Sequence, residues 1–112
     1  MPYTAVRYQK RDGRVPYAEW MKSLKKKDIR AAVKIDLSIN RALAGNFGDH
    51  KFERDGVWAL RIHYGPGYRV YYSMKNGKII LLLAGGDKKT QQGDLDKAVG
   101  YLTDYEARTN DD

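Results

Sequence analysis

The chain has 112 residues, with 21 Lys and Arg against 14 Asp and Glu, a formal net charge of +7 and a pI near 9.6. It has no cysteine, which excludes disulfides, thiol nucleophiles and cysteine-ligated zinc and fits a reducing compartment. The first residues hold no signal-peptide core, and the longest apolar run, 79–84, is far short of the roughly 20 residues of a bilayer span. A soluble, cytoplasmic protein without a membrane partner is expected, folded as one domain over 1–112 that buries roughly 65% of its unfolded surface.

In chain order, "YTAVRY" (3–8) predicts a first strand and "QKRDGRVP" a turn bent at Asp12-Gly13. Pro16 suits the first turn of a helix that sets Tyr17, Trp20, Met21 and Leu24 at helical spacing. Asp28 is placed to cap a second helix, in which Ile29, Val33 and Leu37, with Ile35, Ile39, Ala42 and Leu43, form a broad apolar face. Gly45 and Asn46 are its C-cap candidates, so the two helices form an antiparallel pair. Residues 57–64 and 68–74 predict strands around a three-residue "GPG" turn, and "KNG" (75–77) a second hairpin turn. "KIILLLA" (78–84) is apolar on both faces, as a central strand is. A last helix over 93–107 carries Leu95, Ala98, Val99, Leu102 and Tyr105 as its stripe. The order β-α-α-β-β-β-α is that of an α+β domain, a largely antiparallel sheet packed against helices.

Charge is uneven. Residues 1–56 carry 13 basic and 7 acidic groups, residues 57–91 carry 6 and 1, and residues 92–112 carry 2 and 6, ending in an acidic tail at about 106–112. A basic body points to a polyanionic partner. Period two puts Trp58, Leu60, Ile62, Tyr68, Val70 and Tyr72 on the core side of the hairpin, and Arg61, His63, Arg69 and Tyr71 together on the face turned away from the helices. With a three-residue turn, His63 pairs with Arg69 and Arg61 with Tyr71. That is either a solvated outer face or an acid-free cation patch with a tyrosine, suited to RNA phosphates and bases. "GGDKKTQ" (85–91) brings Lys88 and Lys89 and free amides to the end of a central strand, which favours an anion; the Walker pattern is absent. Lys25, Lys26, Lys27 and Arg30 form a second basic cluster, either a solvated helix end or a phosphate grip. His50 and His63 are the only histidines, no ligand spacing is present, and neither a metal nor another cofactor is expected.

"DGRVPYAEWMKSL" (12–24), "GNFGDHK" (45–51), "LRIHYGPGYRVYY" (60–72) and "LLLAGGDKKTQQGDLDKAVGYLTDY" (81–105) resemble RelE/ParE-type toxins of bacterial toxin–antitoxin modules, nearest the HigB-like addiction-module killer proteins. The resemblance covers nearly the whole chain and implies the small RelE-like β-αα-βββ-α fold. It implies a metal-independent, ribosome-dependent mRNA endonuclease, in which the RNA's 2′-hydroxyl attacks the adjacent phosphate to leave a 2′,3′-cyclic phosphate and a 5′-hydroxyl. Arg69 then matches the arginine that neutralises the scissile phosphate, Arg61 falls where some members carry a site lysine, and Lys89, with Lys88 beside it, falls near a second site arginine. His63 has no family role; imidazole ordinarily exchanges protons near neutrality, which makes it the candidate general base. The tyrosine that ribosome-dependent members carry after the last strand has no counterpart in "TQQGDL" (90–95), and Tyr71 is the candidate to stack a base in its place. Implied partners are a cognate helix-turn-helix antitoxin, the ribosome and mRNA, with operator DNA reached only through the antitoxin. The alternative is a non-nucleolytic, ParE-like inhibitor of DNA gyrase; a third reading is a degenerate toxin kept as an antitoxin-bound corepressor.

Overall fold

The computed structural model describes residues 2–109. In chain order it runs β1 (Thr4–Arg7), α1 (Pro16–Lys27), α2 (Ile29–Leu43), β2 (His50–Arg54), β3 (Val57–Ile62), β4 (Tyr68–Lys75), β5 (Ile79–Asp87), a 3-10 turn (Lys88–Thr90) and α3 (Gln91–Thr109). The five strands form one sheet in the order β1-β5-β4-β3-β2, with β1 parallel to β5 and every other pairing antiparallel. This is a mixed α+β fold consistent with the RelE-like type.

Local chemistry explains the helix boundaries. Pro16 opens α1, Glu19 lies in its first turn and Lys25, Lys26 and Lys27 in its last, all in accord with the helix dipole. Asp28 is a corner shared by two helices. Its N–H donates to the Leu24 carbonyl at 2.7 Å, ending α1, and its side chain accepts from the Ala31 N–H at 3.2 Å, starting α2. At the far end of α2, Gly45 (φ +102°) and Asn46 return their N–H groups to the carbonyls of Ala42 and Arg41, a Schellman closure.

The loop expected before the hairpin holds a strand of its own. β2 pairs with β3 through a tight turn at Asp55 (φ 52°) and Gly56 (φ 84°), the left-handed pair of a type I′ hairpin. The expected "KNG" turn is of the same kind, at Asn76 and Gly77. The "GPG" turn is wider than three residues. Ile62 pairs with Tyr68 and Arg61 with Arg69, so His63 and Tyr64 have left the ladder and the loop is 63–67. Pro66 has no N–H to give a ladder, Gly65 and Gly67 both take left-handed φ, and the Gly67 carbonyl instead accepts from the Lys88 N–H at 3.0 Å.

Both sheet faces are covered. α1 and α2 lie over one core, built on Leu60, Ile62, Tyr68, Val70, Tyr72, Ile80 and Leu82 as the strand alternation predicts. α3 lies over the opposite face and its second core, with Ala59, Tyr71, Leu81 and Leu83 meeting Leu95, Ala98 and Leu102. The face expected to be open is therefore open only beyond the amino end of α3. The face of α2 also divides: Ile35, Ile39 and Ala42 are buried, whereas Ile29, Val33 and Leu37 stand in solvent, because they lie on the opposite side of the helix.

Candidate functional site

The site lies where β3 and β4 run out past the start of α3. Arg61 and Arg69 are direct cross-strand partners, both half-buried, and Arg69 has Gly86 on its other side. Side chains on one face of such a pair stand close together, so the two guanidinium groups share one lip of the sheet. Among the described residues the Arg69 side chain makes no hydrogen bond or ion pair. Arg61 is tied: its Nε and Nη2 donate to Asp49 Oδ1 at 2.9 and 2.6 Å, and its backbone N–H donates to the Asp49 carbonyl at 2.8 Å.

Asp49 also holds His63, whose Nε2 hydrogen-bonds the second carboxylate oxygen. These bonds, from His63 first and Arg61 second, keep the Asp49 carboxyl below the usual carboxylate range. With Nε2–H given to Asp49, a neutral His63 ring keeps its lone pair on Nδ1, the atom that can accept a proton. The patch is therefore not acid-free. Its carboxylate comes from the residue just before β2, the strand that the hairpin pattern alone did not reveal.

Two clefts of about 360 Å³ each flank His63. One holds Arg61, His63, Tyr64, Arg69 and Lys88 around the 63–67 loop. The other runs between α2 and β3 and holds Lys34, Arg41, Asp49, Arg61, His63 and Tyr64. Tyr64 lines both, and the Lys34 ammonium sits 5.3 Å from its ring centre. Tyr64 and Asp49 are the residues missed at this site. Tyr64 is half-buried: it packs against the core beneath α1 and α2, and within the widened loop it also borders both clefts.

The other expected residues are distributed differently. Tyr71 cannot stack a base: it is fully buried under α3, its hydroxyl donates to the Gln91 carbonyl at 3.2 Å, and burial pushes its pKa up to about 12. Lys88 lines the cleft, whereas Lys89 is exposed outside its lining and gives its backbone N–H to Asp87. Gly85 and Gly86 have a packing role. They belong to β5 and exist for close packing, since a Cβ on Gly85 would run into the Trp20 ring and one on Gly86 into the Asp94 carboxylate. Lys25, Lys26, Lys27 and Arg30 are exposed at the α1–α2 corner, outside both cleft linings. Among the described residues no cluster of three or more His, Asp or Glu is grouped to hold a metal ion.

Residues 19–99 match the family described as phage derived protein Gp49-like (DUF891), a match that takes in every residue lining the two clefts. The chain belongs to the Gp49-like family. This is a family of addiction-module toxins of the RelE-like type, so a Gp49-like chain has a cognate antitoxin as its implied partner. A protein of Haemophilus influenzae described as uncharacterized is 46% identical over 82 residues, which cover 73% of this chain and 81% of that protein.

Proposed function

We propose that this Gp49-like toxin is a HigB-like, ribosome-dependent mRNA endonuclease that acts in the cytoplasm without a metal or other cofactor. The observation that carries the proposal is Arg69, a guanidinium without a partner among the described residues, directly across from Arg61 at the mouth of a cleft that also holds His63. Asp49 offsets the charge of Arg61, and a phosphodiester would supply the anion that Arg69 lacks.

In the proposed reaction the 2′-hydroxyl loses its proton to His63 Nδ1 and its oxygen bonds to the adjacent phosphorus. Arg69, with Arg61, offsets the charge gathering on the phosphoryl oxygens. The bond from phosphorus to the 5′-oxygen breaks, and that oxygen takes a proton from the Lys88 ammonium, leaving a cyclic phosphate and a 5′-hydroxyl. Asp49 orients the imidazole and stabilises it once protonated. Tyr64 stacks a base beside the reacting phosphate, the role that Tyr71 is too buried to play. Lys25, Lys26, Lys27, Arg30 and Lys89 add phosphate attraction at a distance. The partners are the ribosome, mRNA and a helix-turn-helix antitoxin, with operator DNA contacted through the antitoxin.

One observation favours the ParE-like reading. Residues 90–95 hold no tyrosine, so the stacking group of ribosome-dependent relatives is missing from its usual place. Inducing the toxin and mapping RNA 5′ ends decides between the two. Cuts inside translated frames that vanish with Arg69→Ala are expected. DNA breaks with intact mRNA would establish the gyrase reading instead.

A further inference from the structure

Three apolar side chains on α2 are out of place for a solvated helix. Ile29, Val33 and Leu37 are 58, 50 and 48% exposed, although the opposite side of the same helix is buried in the core. They stand at i, i+4 and i+8, hence on one line, and cover roughly 12 Å along the axis. Scattered apolar residues on a surface need no explanation; a continuous row does. At about 100° per residue, Arg30, Lys34 and Arg41 form a second row along one border, and Asp36 lies on the other. Lys34, Leu37 and Arg41 also line the cleft that reaches Asp49 and His63. The basic row is thus the wall between the apolar stripe and the candidate site.

We infer that the outer face of α2 seats an acidic amphipathic helix of the cognate antitoxin, two turns of which cover the stripe while its acidic border crosses the basic row and closes the adjoining cleft. The inference rests on reading the chain as an addiction-module toxin. Charge chooses the occupant. An antiparallel, two-fold pairing of two copies would lay Arg30, Lys34 and Arg41 of one against the same residues of the other, in a chain already at +7. An RNA strand gains nothing from Ile29 and Val33. A lipid surface would be met by a stripe without an aromatic residue and with Asp36 on its border. An apolar stripe with one acidic border satisfies both rows at once.

The test uses the full toxin and the antitoxin encoded with it. Ile29→Glu and Val33→Glu alter solvated positions, and the first places a carboxylate where the helix dipole favours one. Both variants should keep the wild-type melting temperature and still arrest growth. The antitoxin should bind each at least about tenfold more weakly by calorimetry and fail to rescue growth. Binding to the wild type should weaken as salt is raised, and a photoreactive residue at position 33 should cross-link to an acidic helical segment of the antitoxin. Unchanged affinity for both variants overturns the inference. So does cross-linking to a basic segment, a concentration-dependent dimer of the toxin alone that Val33→Glu dissolves, or binding to phosphatidylglycerol vesicles that Val33→Glu abolishes. If the wild type arrests no growth, the toxin reading fails, while the calorimetry still reports on the α2 face.

Discussion

Substitutions at Arg69 and Asp49 should separate activity from stability. Like charges directly across a strand pair weaken it. Arg69→Gln keeps most of the stem and removes the charge, so urea unfolding should show a change between zero and about +0.5 kcal/mol. Cleavage in single-turnover assays should nevertheless fall by about a hundredfold or more, because the charge that the proposed mechanism sets against the phosphate is lost. Stability and activity falling together would make Arg69 a packing residue instead. Asp49→Asn keeps the shape but removes the charge that holds His63 and Arg61. It should slow the same assay by about tenfold or more while altering stability little, since the pair is half-open to solvent and screened by it. The acid limb carries the sign. Because the Asp49 carboxyl is held low in the folded protein, its contribution is present above the unfolded value of about 3.9 and is lost as pH falls through the lower folded value. Wild type and Asp49→Asn should therefore converge in the acid and differ above it. Arg61, His63 and Arg69 were visible from alternation and charge alone. Asp49 was not, because its part in the site depends on β2 reaching across to β3, a non-local pairing.

At the scale of elements, two glycines separate close approach from wasted flexibility. Gly85 on β5 lies under the Trp20 ring of α1, with no room for a methyl group. Gly85→Ala should push α1 off the sheet at a cost of about 1–3 kcal/mol, read from urea unfolding and a shifted tryptophan emission. Gly100, within α3, has open space where its Cβ would be, so Gly100→Ala should stabilise by about 0.5–1 kcal/mol. The reverse order would mean that α1 or α3 sits elsewhere on the sheet. The elements themselves were largely legible. Pro16, Asp28, Gly45 and Asn76-Gly77 each do locally what their chemistry dictates. The lost element was β2, although Asp55-Gly56 carries as strong a hairpin signal as Asn76-Gly77. Its flank "HKFER" gives a weak alternation, since as an edge strand it buries little. The width of the 63–67 loop was hidden for a different reason: the carbonyl of Gly67 is answered by Lys88, 21 positions on.

For the molecule as a whole, the tyrosines report on both cores together. The chain has nine, and burial, in Tyr8 reinforced by a hydrogen bond to Asp104, raises Tyr8, Tyr71 and Tyr72 to about 12, well above the ordinary value near 10. Tyr8 and Tyr71 lie in the core beneath α3, and Tyr72 in the core beneath α1 and α2. A group whose folded pKa is raised stabilises fully below its unfolded value, and that contribution drains away as pH climbs from about 10 to about 12. The unfolded chain sheds these protons first, so stability must fall across that window. Because the three probes divide between two cores on one sheet, loss of either core exposes the strands that carry the other. A titration followed by tyrosinate absorbance and circular dichroism should then show the buried set ionising in one step, late in this window and together with loss of helix. Ionisation of all nine in a single phase near 10, with the dichroism unchanged, would refute the burial of Tyr71 under α3. It would also return Tyr71 to the open face, where it could stack on RNA.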